Sequence, residues 1–324
     1  MTYGRVVEVS THVNADNFVR AETDRMFADL QRDAGGINRF RHNREPASIA
    51  AQTVIRMNRD TLYSFAVVNV AAGATLTLPD AGHRYLSAMV VNNDHLVTAI
   101  HHTAGEHGLD EASVGTTYAL VAVRTLVDPT DPADLAAVVA LQDRVELDAT
   151  GDAFIGPDYD EASLTSTRNH LLGLASGMRD FDRTFGSREQ VDPIRHLIGT
   201  AAGWGGLPTT EAAYVGVDPG ETVGDLELTL TDVPVDAFWS ISVYDAQGFF
   251  QENAYQRYTV NSLTAIPDPD GSVTVRFVTG PPSAPNSIPV PSRWNYLLRL
   301  YRPRSAFFDG TWTLPAAVPA ATGG

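Results

Sequence analysis

The stretch VIRMNRDTLYSFAVV, residues 54–68, places a dense polar cluster directly before an apolar run. Asn58, Arg59, Asp60 and Thr61 supply an amide, a cation, a carboxylate and a hydroxyl side by side. Residues 62–70 then have the β-branched and aromatic composition of a buried strand. So much hydrogen-bonding capacity at the start of a core strand has two interpretations. It is a buried corner in which every polar group is paired, or it is the floor of a binding site.

On either side of this stretch the sequence alternates between helical and strand-like regions. A helix is predicted from Asn14 or Asp16 to Ala34, followed by two glycines. Strand-like segments then continue to residue 125: TVIRM, TLYSFAVVNV, ATLTL, HRYLSAMVV, HLVTAI and TYALVAVRT. Helical periodicity returns at 131–145, at about 160–180 and at 192–202, and strands resume after GWGGLP. The pattern predicts an α+β fold that is mainly β, with two antiparallel, sandwich-like halves and helices at the N-terminus and between the halves.

The composition excludes several classes of function. All 23 basic residues are arginines, and 39 acidic residues give a formal net charge of −16. That charge argues against nucleic-acid binding and against adhesion to anionic lipid. Because lysine and cysteine are absent, Schiff-base chemistry, thiol nucleophiles and disulfides are excluded. The sequence also shows no signal-peptide-like N-terminus and no apolar run of about 18 residues, so we expect a cytoplasmic protein that does not span a membrane.

Several phrases resemble a pair of known families of unknown function. NRDTLYS, RYLSAMVVNNDH and GTTYALVAVRTLVDPTDPADLAAVVALQD are similar to the N-terminal family numbered 1254. FWSISVYDAQGFFQENAYQRYTVNS, DPDGSVTVRF, WNYLLRLYRPR and DGTWTLP are similar to its usual C-terminal companion, numbered 1214. The resemblance implies a largely β architecture and no established activity. It divides the chain into an N-terminal helix and β domain at 1–150, a helical connector at 151–205 and a C-terminal β domain at 206–324.

A cluster of histidines raises the question of a metal site. Four of them fall in one segment, at His95, His101, His102 and His107. On a strand the first two lie about 20 Å apart, and adjacent residues point to opposite faces, so the spacing predicts no metal site. His95 follows an aspartate at the start of a strand, and it is our candidate for a general base near neutral pH. The alternative is a structural histidine at the edge of the core.

Other catalytic signatures are missing, while buried arginines suggest anion binding. There is no nucleophile motif of the form G-x-S-x-G and no phosphate-binding glycine loop, which argues against an ordinary esterase and against nucleotide use. In WNYLLRLYR, Arg299 lies within an apolar strand and needs a partner. Together with the aromatic residues around it, this arginine indicates a pocket for an organic anion or, alternatively, a sandwich core with one ion pair.

These observations converge on one predicted site between the two sheets. We expect it to be lined by Asn58, Arg59, Asp60, Tyr63, His95, Arg124, Tyr244 and Arg299. His95 would act as the acid or base, oriented by Asp60, while Arg59 or Arg124 holds a substrate anion. The predicted ligand is a small organic anion or ester, and hydrolysis or another proton transfer is the predicted activity, with no cofactor and no metal. The alternative is a non-catalytic binding or structural protein. The sequence leaves open whether the chain is an enzyme and whether it forms a homo-oligomer.

Overall fold

The computed structural model describes residues 10–52, 54–178, 180–220 and 224–320. The helices are α1 Phe18–Ala34, α2 Glu111–Val114, α3 Pro132–Gln142, α4 Glu161–Ala175, α5 Pro193–Gly203 and α6 Ser305–Phe308. The strands of the first half are β1 Arg41–His42, β2 Thr61–Asn69, β3 Ala74–Leu78, β4 Leu86–Asn92, β5 Val97–His101, β6 Gly105–Leu109, β7 Tyr118–Leu126 and β8 Glu146–Ala149. Those of the second half are β9 Ala212–Val217, β10 Leu226–Leu230, β11 Trp239–Asp245, β12 Thr259–Asn261, β13 Val273–Val278, β14 Ser287–Pro289, β15 Trp294–Tyr301 and β16 Val318–Pro319.

The first half is a sandwich of two antiparallel sheets. A five-stranded sheet in the order β1-β2-β7-β4-β5 faces a three-stranded sheet in the order β6-β3-β8. Alternating side chains such as Val68, Val90 and Val121 fill the space between them together with Leu76 of the smaller sheet. Because alternate residues of a strand point to the same face, every second side chain of β2, β4 and β7 lies in this core.

The second half repeats this arrangement with a different strand order. A four-stranded antiparallel sheet, β12-β11-β15-β9, packs on the sheet β14-β13-β10-β16, in which only the β13–β14 pair is parallel among the described strands. Trp239, Ile241 and Val243 of β11 point into this core, opposite Leu228 and Phe277. The mainly β class, with two antiparallel halves and an N-terminal helix, is therefore confirmed.

A third core joins the two halves. Val67, Met89 and Leu120, on the other face of the five-stranded sheet, pack with Phe238 and Tyr301 of the second half. The sheet of β11 and β15 therefore presents its outer face to the first half, and the predicted site lies on this boundary.

The helices of the connector pack on α1. Ala21 of α1 shares a buried cluster with Leu164 of α4 and Ile198 of α5. Both helices that begin with Asp-Pro are capped: the side chain of Asp131 accepts from the backbone N–H of Ala133, and that of Asp192 accepts from the N–H of Ile194. None of the helices in the described part of the chain has the length and apolarity needed to cross a membrane.

One predicted strand is absent. Residues 54–60 of the segment TVIRM and its polar continuation form turns and irregular backbone, and β2 begins only at Thr61. Thr53 lies outside the described residues. The irregular backbone makes no ladder, and its polar groups are paired by side chains of the second half, as described below.

Candidate functional site

A polar layer lies on the boundary between the two halves. Because alternate residues of a strand point to opposite faces, Ser240, Ser242 and Tyr244 of β11 face the first half while their neighbours face the core of the second. All three are buried. Arg299 of β15 lies opposite Ser240 in the ladder and shares this face. The second half therefore contributes a polar surface where an apolar one would be the simpler way to join two sheets.

Arg299 fixes the irregular segment before β2. Its Nη1 donates to Ser242 Oγ at 2.9 Å, and its Nη2 donates to the carbonyl oxygens of Arg56 at 2.8 Å and Met57 at 3.2 Å. The same Nη2 donates to the hydroxyl of Tyr244 at 2.6 Å, and that hydroxyl donates to the Met57 carbonyl at 2.9 Å. Arg299 and Tyr244 are therefore hydrogen-bond partners, and both bind backbone carbonyls instead of an acidic side chain.

Asp60 joins the layer from the first half. Its Oδ1 accepts from Thr259 Oγ1 and from Asn261 Nδ2, both at 3.0 Å. Asp60 is fully buried, and its Oδ2 has no hydrogen-bond partner among the described residues. A buried carboxylate oxygen without a partner is costly, and it is a feature of sites more often than of finished cores.

Asn58 connects the irregular segment to both halves. Its Nδ2 lies within hydrogen-bonding distance of Thr61 Oγ1 and Tyr63 Oη, both at 3.2 Å, and of Tyr301 Oη at 2.9 Å. Asn58 and Thr61 therefore lie on the same side. The alternation expected for a strand placed them on opposite sides, and it does not apply because the strand starts later.

Arg124 lies at the centre of the layer on β7, directly opposite Tyr63 in the ladder. Its Nη2 donates to the carbonyl oxygen of Gly205 at 2.9 Å, and its guanidinium lies 5.4 Å from the ring centroid of Tyr63. It is only 7% exposed, and Nη1 has no partner among the described residues. No carboxylate of the described chain forms an ion pair with it within 4.0 Å. It is therefore a buried cation that lacks its usual partner.

Tyrosines surround Arg124. Burial raises the pKa of Tyr301 well above its ordinary value, and the nearby hydroxyls of Tyr214 and Tyr63 add to the increase. Burial likewise raises the pKa of Tyr214, whereas the nearby cations Arg299 and Arg124 lower it. These hydroxyls consequently stay neutral and act as hydrogen-bonding groups. Tyr214 nevertheless keeps 41% of its surface exposed, so its hydroxyl end reaches the layer while its ring reaches solvent.

Arg59 lies apart from Arg124. Its Nη1 donates to the carbonyl oxygen of Ala47, and its guanidinium is 5.6 Å from the ring centroid of Tyr258. Partial burial lowers its pKa, while Tyr258 and Asp60 act in the opposite direction. Arg59 therefore links the residues just before β2 to Ala47, away from the tyrosines around Arg124.

His95 is sealed within a different cluster. Its Nδ1 lies 2.8 Å from Thr200 Oγ1, and its Nε2 accepts from the backbone N–H of Gly205 at 2.8 Å. Its ring stacks between Trp204 at 5.3 Å and His196 at 5.2 Å. Since Nε2 accepts, the proton is on Nδ1, and neither nitrogen is free to act on a ligand.

The expected pairing of His95 with Asp60 is not formed. Asp60 bonds to Thr259 and Asn261, and His95 bonds to Thr200 and Gly205. Burial, and then the neighbouring His196, lowers the pKa of His95 well below its ordinary value, so that the ring is neutral near pH 7. In this geometry His95 supports the fold around Gly205, the residue whose carbonyl binds Arg124.

His102 and Glu211 form a second polar pair beside the layer. His102 Nε2 lies 2.9 Å from Glu211 Oε2, and both side chains are 22% exposed. Tyr85 connects this pair to the layer, with its ring centroid 6.0 Å from that of His102 and 5.5 Å from that of Tyr301. The sequence names His102 as one of four clustered histidines, but Glu211 is 109 residues away and carries no local signal.

Two open clefts lie outside this layer. One, of about 520 Å³, is bordered by residues of the 245–252 and 291–293 segments. The other, of about 430 Å³, is lined by Asp24, Tyr118 and Tyr159 among others. In the second cleft, Asp24 already accepts from Tyr159 Oη at 2.9 Å and from Asn93 Nδ2 at 2.8 Å. In the described part of the chain no three acidic or histidine side chains group as a metal site.

Comparison with known proteins gives matches to two families of unknown function. Residues 37–99 match the family described as protein of unknown function (DUF1254), and residues 219–305 match protein of unknown function (DUF1214). No curated protein matches the chain.

Two solved structures match the chain. The crystal structure of the VPA0106 protein from Vibrio parahaemolyticus is 18% identical, with a TM-score of 0.69 over 94% of this chain and 98% of that one. A putative uncharacterized protein from Burkholderia cenocepacia is 15% identical, with a TM-score of 0.49 over 89% of this chain and 85% of the other. The first similarity supports the fold alone. The two family matches thus lie in the N-terminal and the C-terminal part of the chain, in the order that the sequence phrases indicated.

Proposed function

We propose that this protein binds a small organic anion between its two halves, with Arg124 as the group that receives the anion. The observation that carries the proposal is the unpaired Nη1 of a buried guanidinium that has no carboxylate partner. A planar guanidinium is well suited to a carboxylate, which accepts two parallel hydrogen bonds. A ligand carboxylate would therefore satisfy the group that the protein leaves without a partner.

The charge of the layer supports the same conclusion. It contains two buried cations, Arg124 and Arg299, and one buried anion, Asp60, which leaves one formal positive charge. The chain as a whole carries a formal charge of −16, so this positive centre is a local feature and not a general property of the surface. Since an isolated buried charge is strongly unfavourable, an incoming anion would be stabilised here.

The surroundings of Arg124 suggest an aromatic or otherwise flat ligand. Tyr63 and Phe65 are half-buried and stack on each other at 5.7 Å, and Tyr214 has a partly exposed ring. The ring of Tyr63 lies 5.4 Å from the Arg124 guanidinium, and both Tyr63 and Tyr214 act electrostatically on that cation. Aromatic walls with one or two convergent polar groups are typical of small-molecule sites.

Binding of benzoate tests the proposal. We expect benzoate to stabilise the wild-type protein against thermal unfolding, by about 2.7 kcal/mol at a concentration 100 times its Kd. Benzamide has the same shape without the charge and should give a much smaller shift. Arg124→Gln should remove the difference between the two compounds. Differential scanning fluorimetry and titration calorimetry would measure these effects.

The matched control is Arg257→Gln, which removes an exposed arginine elsewhere on the surface. It should leave the benzoate response unchanged. Equal shifts by benzoate and benzamide, or a benzoate response that survives in Arg124→Gln, would contradict the proposal. A non-catalytic structural role, the alternative drawn from the sequence, predicts no response to either compound and a large loss of stability in Arg124→Gln.

A further inference from the structure

His102 combines a nitrogen held by a carboxylate with a nitrogen that is free. Because the carboxylate of Glu211 only accepts hydrogen bonds, Nε2 of His102 carries a proton, and in the neutral imidazole the lone pair is then on Nδ1. Nδ1 makes no hydrogen bond to any residue that the structure describes. With 22% of its side chain exposed, His102 is also accessible, in contrast to His95. A carboxylate that orients an imidazole in this way is a standard arrangement for a general base.

The strand register places His102 on the same face as Arg124. Strand β5 pairs antiparallel with β4 so that His101 lies opposite Ala88, and the next residue, His102, therefore lies opposite Ser87. Ser87 in turn lies opposite Arg124 in the β4–β7 ladder. Neighbouring strands are about 4.8 Å apart, so the backbones of His102 and Arg124 are about 10 Å apart across the sheet.

Tyr85 contacts both groups. Its hydroxyl donates to Ser87 Oγ at 2.9 Å, its ring lies beside that of His102, and the charge of Arg124 acts on its hydroxyl. Burial raises the pKa of Tyr85 to about 12, so the phenol stays neutral. The imidazole and the guanidinium therefore lie on the same face of the sheet, with the neutral hydroxyl-bearing ring of Tyr85 between them.

We propose that His102, oriented by Glu211, is the general base of the anion site and acts on a 2-oxo carboxylate held at Arg124. This inference rests on the anion site proposed above. In the step, Nδ1 of His102 takes a proton from the carbon beside the carbonyl group. The electron pair of that C–H bond forms the C=C bond of an enolate, and the carbonyl oxygen takes the negative charge. Glu211 balances the imidazolium, which returns a proton to the ligand, so that no net oxidation or reduction occurs.

Hydrogen exchange into phenylpyruvate tests the step. In D₂O at neutral pH, the wild-type protein should exchange the C3 protons faster than buffer alone, as measured by the loss of their proton NMR signal. His102→Gln should lower the protein-dependent rate by about 100-fold, in the range expected for loss of a general base. Glu211→Gln keeps the size of the side chain but weakens its hold on the imidazole, and it should lower the rate by about tenfold.

The matched control is His83→Gln, because His83 is exposed and has no place in the site. It should exchange phenylpyruvate at the wild-type rate. Benzoate binding separates the two proposals, since it needs Arg124 and not His102. Normal benzoate binding with no exchange above buffer, or with equal exchange in wild type and His102→Gln, would overturn the role of His102 and leave the anion site intact. Absence of benzoate binding in the wild type would overturn both.

Discussion

Arg299→Met should lower the free energy of unfolding by about 3–5 kcal/mol, which is the cost of removing one member of a buried charge arrangement. Arg299 is 2% exposed and donates to four groups: Ser242 Oγ, the carbonyl oxygens of Arg56 and Met57, and Tyr244 Oη. Methionine fills similar space but removes the donor to these four acceptors, of which the Met57 carbonyl still accepts from Tyr244 Oη. It also removes one of the two cations on which the charge of the buried Asp60 acts, leaving only Arg59. Chemical denaturation followed by circular dichroism would measure the loss.

A surface arginine on a strand provides the comparison. Arg276 pairs with Glu227 at 3.1 Å, with side chains that are 26% and 33% exposed. Arg276→Met should cost less than about 1 kcal/mol, as is usual for exposed ion pairs. Adding Asp60→Asn to Arg299→Met should recover part of the lost stability because it removes the uncompensated charge. A loss in Arg299→Met no larger than in Arg276→Met would show that the polar layer contributes little to the fold.

The fold could be predicted from the sequence where the signals are local. Trp239, Ile241 and Val243 alternate with serines and a tyrosine, a local period of two typical of a strand, and the structure shows the apolar set in the core of the second half. The Asp-Pro pairs marked helix starts for the same reason, since the cap and the first helical residue are neighbours.

The site could be predicted only in part, because its contacts are not local. Asn58, Asp60, Tyr63, Arg124, Tyr244 and Arg299 do come together or bond to shared neighbours. Residues 54–60 form no strand, although this segment begins with strand-like residues. Arg299, more than 240 positions later, binds its backbone carbonyls. The environment of His95 likewise depends on Thr200 and Gly205, which are over 100 residues away. No local pattern shows that both ring nitrogens are already bonded.

His95→Ala should lower the free energy of unfolding at pH 7.5 by about 3–5 kcal/mol, the range for truncating a large buried ring. The variant removes the ring stacked between Trp204 and His196 and leaves the N–H of Gly205 and the hydroxyl of Thr200 without their partner. His95 also has a φ of 59°, a left-handed backbone in which alanine is strained. His95→Gly accepts that backbone, so the difference between the two variants isolates the strain. His83→Ala, at an exposed position, is the control and should be nearly neutral.

The pH dependence of the same variants tests whether His95 is structural. Burial, followed by the neighbouring His196, lowers the pKa of His95 well below the value of about 6.5 expected in the unfolded chain. Between these two values the unfolded state binds more protons, so His95 contributes stability that is fully present above about pH 6.5 and is lost as the pH falls. The wild type should therefore lose up to about 1.4 kcal/mol per pH unit from this group, and His95→Gly should not. The stability difference between wild type and variant must then narrow from pH 7.5 to pH 5.5. A constant or widening difference would show that the pKa of His95 is not lowered by folding and would contradict the buried, neutral ring.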